Sequence, residues 1–376
     1  DHRLIPFFYG TDTVDFRMRA AKYFMASFHD NSSFMYQYGA HHGVRCSVPG
    51  AKRSQLQASL HKFFMQAVAG FFSSREGIRQ HDRNLIHCKF ATMTIDGANR
   101  RLISSLGTIY DEREASSIAS LVMEKLTGES KSLRVIHKLN ELPEEKEILF
   151  RKWFEELMLN RPVQYVLGEA WFAGLRFYVD ERVLIPRPET EELVDWVLED
   201  LQPSLTEDFK ILDIGTGTGC IPVSIGKKRK DLRLLACDFS IPALEVARKN
   251  SQDNQVPVEF IHADILNNSS RSLIPAVNMI ISNPPYIPGQ QKAALDKHVR
   301  NFEPEIALFV PDEDPIVFYK QIGLLAKQRL IAGGKVFLET HHDYSKAVVT
   351  WYKENGFTVE LRKDFSGKNR MIRAII

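Results

Sequence analysis

The sequence predicts an α/β fold: a seven-stranded, mostly parallel sheet with a terminal antiparallel strand, preceded by a small N-terminal helical domain. Two observations support this fold class. From Phe209 onward, short apolar runs alternate with helical patterns, which is typical of a parallel sheet covered by helices on both faces. Between Ile95 and Leu159, apolar residues instead recur at the i, i+3, i+4 and i+7 positions of amphipathic helices. A chain of 376 residues has room for two or three such domains.

Residues 1–92 differ in composition from the rest of the chain and form an N-terminal extension whose role the sequence does not indicate. They are basic, rich in histidine, phenylalanine and tyrosine, and poor in acidic residues. The stretches Arg17–Phe28 and Gln55–Phe72 are compatible with helices. The adjacent His41 and His42 lack further ligands at helical spacing, so they predict a polar turn, and no metal site is expected.

Residues 93–168 are predicted to form a helical domain. Pro143 followed by Glu144 and Glu145 suits the start of a helix, because proline fits the first turn and acidic side chains complement the helix dipole. The four amphipathic patterns are Ala98–Leu106, Asp111–Leu126, Leu133–Leu139 and Pro143–Leu159.

Residues 169–200 form a predicted hairpin and linker. The segment from Trp171 to Val179 alternates apolar and polar side chains, as expected of a pair of strands. This pair would separate the helical domain from the α/β domain that follows.

Residues 201–376 are predicted to form the catalytic domain. Its helical patterns include Ile241–Asn250 and Asp314–Leu330. Seven strands that end in an antiparallel pair match class I S-adenosylmethionine-dependent methyltransferases rather than six-stranded dinucleotide-binding dehydrogenases. The seven predicted strands are Lys210–Ile214, Leu232–Cys237, Val258–His262, Val277–Ser282, Gly334–Glu339, Thr358–Leu361 and Met371–Ile376.

Composition and charge exclude several classes of protein. A formal charge of +2 gives no general sign of nucleic-acid binding, and 44% hydrophobic with 26% charged residues is ordinary for a globular protein. The four cysteines are scattered without a C-x-x-C pair, which argues against a zinc or redox motif. Neither a signal peptide nor an apolar run long enough to span a bilayer is evident. We therefore expect a cytoplasmic protein without a membrane partner.

A glycine-rich run follows the first predicted strand of the catalytic domain. It consists of Gly215, Thr216, Gly217, Thr218 and Gly219. Glycines permit positive φ angles and lack the Cβ atoms that would keep a nucleoside ligand away from the backbone. The run predicts cofactor binding at the carboxyl end of a strand. The signal alone is weak, because dehydrogenases and tight structural turns use similar runs.

The next two strands end near three further candidates for the cofactor site, which are Asp238, Asp264 and Ile265. Asp238 follows the glycines at a distance suited to accepting hydrogen bonds from both ribose hydroxyl groups, although an N-cap of the next helix is the alternative. Asp264 is placed to meet the adenine amino group, or else to be an ordinary loop acid. Ile265 beside it is expected to pack on the adenine ring.

The stretch Asn283, Pro284, Pro285 and Tyr286 follows the fourth predicted strand of the catalytic domain. Two prolines fix φ and remove two N–H donors, so their carbonyl groups are available as acceptors. The Asn283 side-chain oxygen and the Pro284 carbonyl would each accept one N–H of a planar NH₂ group, and Tyr286 would stack on that group. This arrangement predicts methyl transfer to an amide or amino nitrogen by positioning, without a strong base.

The acceptor loop alone does not identify the substrate. Adenine N6, cytosine N4, guanine N2 and a glutamine amide all present the same planar NH₂ group. A nucleic-acid base usually requires a basic, aromatic-rich face, whereas the chain after Met93 is mildly acidic.

These motifs resemble the protein-(glutamine-N5) methyltransferases of peptide-chain release factors, the HemK/PrmC type. The resemblance covers about Thr94 to Ile376, and its two earliest stretches are the most specific. The stretches are Arg161–Gly168, Leu184–Glu191, Gly215–Gly219, Asn283–Tyr286 and Phe302–Leu308.

The resemblance implies S-adenosyl-L-methionine as cofactor and a class 1 release factor as protein substrate, methylated on the glutamine of its Gly-Gly-Gln motif. It implies that the helical domain docks this factor, and we expect a monomer without a stable nucleic-acid partner. The rival functions are a nucleic-acid amino methyltransferase acting on adenine N6 or guanine N2, and a non-catalytic scaffold.

Carried over by position, the resemblance assigns roles to individual residues. Gly215 to Gly219 and Asp238 would bind the cofactor, and Asn283 would contact both cofactor and substrate. Asn283, Pro284 and Tyr286 would be catalytic, with Pro285 completing the glutamine pocket. Arg187 and Glu189 would brace that pocket or the linker between the domains.

Overall fold

The computed structural model describes residues 25–28, 33–38, 42–47, 93–202 and 208–376. The chain divides into two compact units, Asp1–Lys89 and Phe90–Ile376. In the first unit, strands β1 (Met25–Phe28), β2 (Ser33–Tyr38) and β3 (His42–Ser47) form an antiparallel sheet.

Two predictions for the extension are therefore wrong in part. The end of the helix predicted at Arg17–Phe28 is strand β1, and His42 begins strand β3 instead of lying in a polar turn. The remainder of that helix, His41 and the helix predicted at Gln55–Phe72 lie outside the described residues.

The four helices predicted for residues 93–168 are present. Thr94 and Asp111 begin the first two, each accepting a hydrogen bond from a backbone N–H of the first turn. The core includes Leu102, Met123 and Phe150. The bounds are α1 Ile95–Leu106, α2 Glu112–Thr127, α3 Lys131–Ile136 and α4 Glu144–Met158, and a short fifth helix, α5, spans Val163–Leu167.

Helix α3 does not bury the apolar face that its periodicity predicts. Val135 and Ile136 are 64% and 72% exposed, whereas Arg134 is buried. The Arg134 guanidinium donates hydrogen bonds to the carbonyl oxygens of Glu129 and Ser120 and to the Ser120 hydroxyl. These polar contacts hold the helix with its apolar side outward.

A hairpin leads into the catalytic domain, as the alternating pattern predicts. Strands β4 (Ala170–Phe172) and β5 (Leu175–Phe177) join through Ala173 and Gly174, both at positive φ. Helix α6 (Pro188–Asp200) follows. It packs on the same side of the large sheet as the hairpin, because residues of both belong to one apolar core.

The large sheet has the predicted seven strands. Its order is β13-β14-β12-β9-β6-β7-β8. Strand β14 runs antiparallel to its neighbours β13 and β12. The other neighbouring strands, from β12 to β8 in this order, pair in parallel. The strands are β6 Lys210–Ile214, β7 Arg233–Asp238, β8 Glu259–His262, β9 Val277–Ser282, β12 Leu330–Glu339, β13 Thr358–Lys363 and β14 Asn369–Ile375. A separate parallel pair consists of β10 Ile287–Pro288 and β11 Phe309–Val310.

Helices cover both faces of this sheet. Successive strand residues point to opposite faces, so Leu212 and Ile280 belong to one apolar core while Ile211 and Ile281 belong to the other. The helices are α7 Cys220–Lys228, α8 Ile241–Asp253, α9 Asn268–Arg271, α10 Lys297–Phe302, α11 Glu305–Leu308, α12 Val317–Arg329 and α13 Ser345–Glu354, with a 3₁₀ helix at Gly289–Ala294. Within the described ranges, none of the helices is both long and apolar enough to cross a membrane.

The strand order reverses at β6 and β9, which lie side by side in the middle of the sheet. Strands β7 and β8 extend the sheet to one side of β6, and β12 extends it to the other side of β9. Ligands of open α/β sheets bind beyond the carboxyl ends of the strands at this point of reversal. The fold therefore brings the loops after β6, β7 and β9 to one edge.

One carboxylate lies inside the sheet directly before this edge. Asp213 is 1% exposed, and neither of its oxygens has a hydrogen-bond partner among the described residues. Burial raises the pKa of Asp213 to about 7, and the negative Asp238 adds to the shift, although the nearby Thr216 hydroxyl opposes it. A charged Asp213 therefore destabilises the folded state.

We expect Asp213→Asn to stabilise the protein in a pH-dependent way. The folded pKa lies above the ordinary value of 3.8, so the cost of Asp213 is absent at low pH and grows as the pH rises from about 3.8 to about 7. The gain in unfolding free energy from the asparagine should grow by about 1.4 kcal/mol per pH unit in that interval.

Urea unfolding between pH 4.5 and pH 8 measures this effect. The exposed Asp253 provides the matched control Asp253→Asn, which should show no such trend. A stability difference for Asp213→Asn that is constant across the pH range would contradict the expectation.

Candidate active site

The glycine loop leaves open space for a ligand. Gly215 and Gly217 have φ angles of 70° and 51°, and a Cβ atom at either position would meet no heavy atom within 4 Å. Gly219 is different, because a Cβ there would approach Ala247 of α8 at 3.2 Å. Two glycines thus shape an open cradle, and the third allows helix α8 to pack closely.

Backbone hydrogen bonds tie this loop to the end of β7. The N–H groups of Gly215 and Thr216 donate to the Cys237 carbonyl oxygen at 2.9 and 3.1 Å. The Gly217 N–H donates to Asp238 Oδ2 at 2.9 Å. The loop conformation therefore depends on the same carboxylate that the sequence assigns to the cofactor.

Asp238 lies at the carboxyl end of β7, beside the glycine loop. Its Oδ1 accepts a hydrogen bond from the Ser240 N–H at 2.9 Å. The N-cap of α8 is Ser240, whose hydroxyl accepts from the Ala243 N–H, so the alternative assignment of Asp238 as that cap is wrong. Burial raises the pKa of Asp238, while the backbone donors oppose the shift. Each oxygen retains capacity for a further donor such as a ribose hydroxyl.

Asp264 and Ile265 lie beyond the end of β8, the next strand outward. Asp264 Oδ1 accepts a hydrogen bond from the Leu266 N–H at 2.8 Å, as an acid in a turn does. Ile265 is buried in the apolar core on one face of the sheet. The adenine contacts of these two residues stay predictions.

The acceptor loop begins where β9 ends, beside the glycine loop. Ser282 and Ile214, the last residues of β9 and β6, are partners in the parallel register. The Ser282 hydroxyl donates to the Ile214 carbonyl oxygen at 2.7 Å. Asn283 and Gly215 therefore leave the sheet side by side. Pro284 is buried, whereas Asn283, Pro285 and Tyr286 are half-buried.

Two buried residues that sequence reasoning did not select hold the Asn283 side chain. Asn283 Nδ2 donates to Thr190 Oγ1 at 3.1 Å, and the Thr190 hydroxyl donates to Glu339 Oε2 at 2.7 Å. The Tyr286 hydroxyl donates to Glu339 Oε1 at 3.4 Å. Thr190 falls within the Leu184–Glu191 stretch that supports the family resemblance, but the sequence gives no sign that Glu339 lies beside it.

Glu339 is 1% exposed and ends strand β12. Burial raises the pKa of Glu339 to about 7, although the hydrogen bond from Thr190 and the positive Arg370 favour its charged form. The Tyr319 hydroxyl donates to the Glu339 backbone carbonyl at 3.2 Å. Burial also raises the pKa of Tyr286, with the nearby Glu339 adding to the shift, so this phenol stays protonated and serves as a donor.

An ion pair joins two of the stretches that carry the resemblance. Arg187 Nη2 donates to Glu303 Oε1 at 2.7 Å, and Glu303 is buried. The Tyr165 hydroxyl donates to the Val183 carbonyl oxygen at 2.6 Å, which connects α5 to the same region. Arg187 thus joins the two stretches, and its role in bracing the pocket stays a prediction. Glu189 is half-buried and lies close enough to Glu339 and Tyr286 to act on their pKa values.

Two further features are a cavity away from these residues and a histidine group that adjoins Tyr286. A cavity of about 720 Å³ opens at the amino ends of β7 and β8, lined by residues such as Arg233, Arg248 and Glu259. His341, His342 and Asp343 each place one ligand atom within 4.8 Å of the others. They are consecutive residues, two of them exposed, and surface turns form such groups without a metal. The absence of a metal site stays a prediction.

A family model and a solved structure are each similar to part of this chain. A family model described as the methyltransferase small domain matches residues 194–301. A solved structure, the release factor-specific protein-(glutamine-N5) methyltransferase of Alicyclobacillus acidocaldarius, is 27% identical, covers 53% of this chain and 98% of its own, and superposes with a TM-score of 0.34.

Two curated relatives match over most of their length. The release factor glutamine methyltransferase of Flavobacterium psychrophilum is 36% identical over 283 residues, which is 75% of this chain and 99% of the relative. That of Bacteroides thetaiotaomicron is also 36% identical, over 276 residues, 72% of this chain and 96% of the relative. On this identity and coverage, the chain belongs to the release factor glutamine methyltransferase family.

Proposed function

We propose that this protein methylates the side-chain amide nitrogen (N5) of the glutamine in the Gly-Gly-Gln motif of a peptide-chain release factor, using S-adenosyl-L-methionine. The observation that carries the proposal is the placement of Asn283. Its side-chain nitrogen is engaged with Thr190, and it leaves the sheet beside Gly215 of the open glycine loop. A hydrogen-bond acceptor is thereby directed to the region where a cofactor and a substrate amide would meet.

The acceptor loop suits an amide better than a charged amine. An amide NH₂ has two hydrogens and a lone pair delocalised into the carbonyl group, so it is a poor nucleophile. Asn283 Oδ1 and the Pro284 carbonyl would each accept one of its hydrogens, which turns the nitrogen toward the donor of the methyl group. The contribution of these residues is orientation and electrostatic stabilisation, and no strong general base is required.

Tyr286 completes the glutamine pocket in this proposal. Its ring lies 5.7 Å, centre to centre, from that of His341, and its hydroxyl is directed to Glu339. The ring face would stack on the planar amide. Because the hydroxyl is held by a buried carboxylate, the ring has a defined orientation before the substrate arrives.

The residues at the edge of the sheet fit the cofactor. S-adenosyl-L-methionine supplies an electrophilic methyl carbon bonded to a positively charged sulfur. The open space above Gly215 and Gly217 would admit it. Asp213, just before the loop, has two oxygens without a hydrogen-bond partner among the described residues, and its negative charge suits a positive ligand. Asp238 would accept the ribose hydroxyl groups. Asp264 and Ile265 would lie on the adenine side.

The helical domain 93–168 is proposed to dock the release factor. Its α3 and the following loop present Val135, Ile136 and Leu139, which are 64%, 72% and 75% exposed. Apolar side chains turned outward together are typical of a surface that a protein partner covers. Arg161 forms ion pairs with Glu156 of α4 and, at 2.5 Å, with Glu181 beyond the hairpin. These ion pairs would hold a release factor bound to the helical domain in a defined position relative to the catalytic domain.

The two rival functions are not proposed. The two curated relatives are release factor glutamine methyltransferases, and this similarity favours neither a nucleic-acid amino methyltransferase nor a scaffold. A scaffold would also have no use for an asparagine held in one orientation by buried partners.

We expect the wild-type protein to transfer labelled methyl groups to a purified release factor and to neither tRNA nor DNA. Asn283→Ala should lower kcat by about 10²–10³, because it removes one preorganised polar contact to the reacting group. Cofactor affinity should fall much less, since the glycine loop and Asp238 are retained.

The exposed Asn268 provides the control, because Asn268→Ala should leave turnover unchanged. Methyl transfer to nucleic acid in place of release factor would refute the proposed substrate. Near-normal turnover by Asn283→Ala would refute the proposed mechanism.

Asp238→Ala should mainly weaken cofactor binding. The variant loses the acceptor for the ribose hydroxyl groups and also the acceptor for the Gly217 N–H that shapes the loop. We expect a loss of about 1.5–3 kcal/mol, on the order of ten- to a hundredfold in affinity, as measured by calorimetry. Asp253→Ala on the exposed end of α8 is the control, and an equal affinity in Asp238→Ala would remove this residue from the site.

The double substitution Val135→Ser and Ile136→Ser should raise KM for the release factor at least about fivefold, because two exposed apolar contacts are lost. The kcat at saturating release factor and the cofactor affinity should not change. Leu273→Ser, at a position 63% exposed outside the helical domain, is the control. An unchanged KM would show that α3 does not contact the substrate protein.

A further inference from the structure

We propose that Thr190 and Glu339 are positioning residues that determine which way the Asn283 amide faces, so that its oxygen rather than its nitrogen meets the substrate. This inference rests on the proposed function, since it concerns how the same loop holds a glutamine amide. Thr190 and Glu339 would act on the reaction through Asn283, because they do not themselves reach the reacting atoms.

The orientation of the Asn283 amide follows from the single proton of the Thr190 hydroxyl group. The Thr190 hydroxyl has one proton and donates it to Glu339 Oε2 at 2.7 Å. Its oxygen can then only accept from Asn283, and it does so from Nδ2 at 3.1 Å. If the Asn283 amide turned by half a rotation, Oδ1 would face the Thr190 oxygen, and two acceptors would meet without a proton between them.

The charged form of Glu339, which the Thr190 hydrogen bond and the positive Arg370 favour, sets this order, because an ionised carboxylate only accepts. Oε2 accepts from Thr190, and Oε1 accepts from the Tyr286 hydroxyl. Asn283 and Tyr286, the two side chains of the loop that would contact the glutamine, are thus both oriented by one group. The titratable and charged groups that face this carboxylate are Arg370, Glu189, Tyr286 and Tyr319.

The sheet determines where these side chains meet. Leu338 of β12 is the register partner of Ser282 of β9, so Glu339 and Asn283 come next on adjacent strands. Phe337 and Glu339 share one face of β12, and Trp196 of α6 packs edge to face on Phe337 with ring centres 5.3 Å apart. This packing brings the first turn of α6, which contains Thr190, over Glu339.

The alternative is that Thr190 and Glu339 only stabilise the fold. The two are 3% and 1% exposed, and loss of any buried hydrogen bond costs stability. A purely structural role would lower activity by the same factor whether or not Asn283 is present. A positioning role exists only while Asn283 has an amide to orient, so a double-mutant cycle separates the two.

The test compares Thr190→Val, Asn283→Ala and the double variant in full-length protein, with labelled S-adenosyl-L-methionine and purified release factor. We expect Thr190→Val to lower kcat at least about thirtyfold, with KM and cofactor affinity changed by less than about threefold. In the Asn283→Ala background the same substitution should change kcat by less than about twofold. Thr190→Ser, which restores the hydroxyl, should recover most of the loss.

Two further comparisons keep the inference open to refutation. Glu339→Leu should reduce kcat more than Glu339→Gln, because only the glutamine retains an oxygen that can accept from Thr190. Ser251→Ala, which removes a buried hydroxyl bonded to the Val256 carbonyl away from the site, is the control and should keep normal kcat. If Thr190→Val does not fold by thermal melting, Thr190→Ala takes its place in the cycle.

A kcat for Thr190→Val within twofold of the wild type would overturn the inference, as would an equal loss in both backgrounds. These outcomes leave the proposed function intact as long as the wild type methylates the release factor. A wild type that is inactive on the release factor refutes the proposed function itself, so the two failures are distinguishable.

Discussion

The arrangement of the site depends on the parallel pairing of β6 with β9 at the centre of the sheet. Ile214 and Ser282 end these strands in register, and the Ser282 hydroxyl bonds to the Ile214 carbonyl. The glycine loop and the acceptor loop therefore begin at the same level, one beside the other. A shift of one residue in this register would turn the strand side chains to the opposite faces and separate the loops.

The sheet also carries polar groups that a purely structural core would not contain. Asp213 lies under the glycine loop and Glu339 beside the acceptor loop, and burial raises the pKa of each to about 7. Buried carboxylates are unfavourable for folding, so their presence at this edge is better explained by the requirements of the site. A neutral amide has to be held by acceptors of fixed direction, and such acceptors are most rigid when they are kept away from water.

Sequence patterns predicted the first four helices of residues 93–168 and the seven strands of the large sheet, because strand and helix periods depend on local residue spacing. They did not predict the outward apolar face of α3, which depends on contacts of the buried Arg134 with a neighbouring helix. The Asn-Pro-Pro-Tyr loop and the glycine run were recognisable as contiguous motifs. The link from Thr190 to Glu339 joins residues 149 positions apart, so only the folded chain brings it to the site.

A crystal structure of the protein with S-adenosylhomocysteine and a release factor would test most directly how the acceptor is held. We expect the glutamine side-chain nitrogen to lie about 3 Å from both Asn283 Oδ1 and the Pro284 carbonyl oxygen, with Asn283 Nδ2 still bonded to Thr190. A glutamine nitrogen bound away from these two oxygens, or an Asn283 side chain that presents its nitrogen to the substrate, would contradict this expectation.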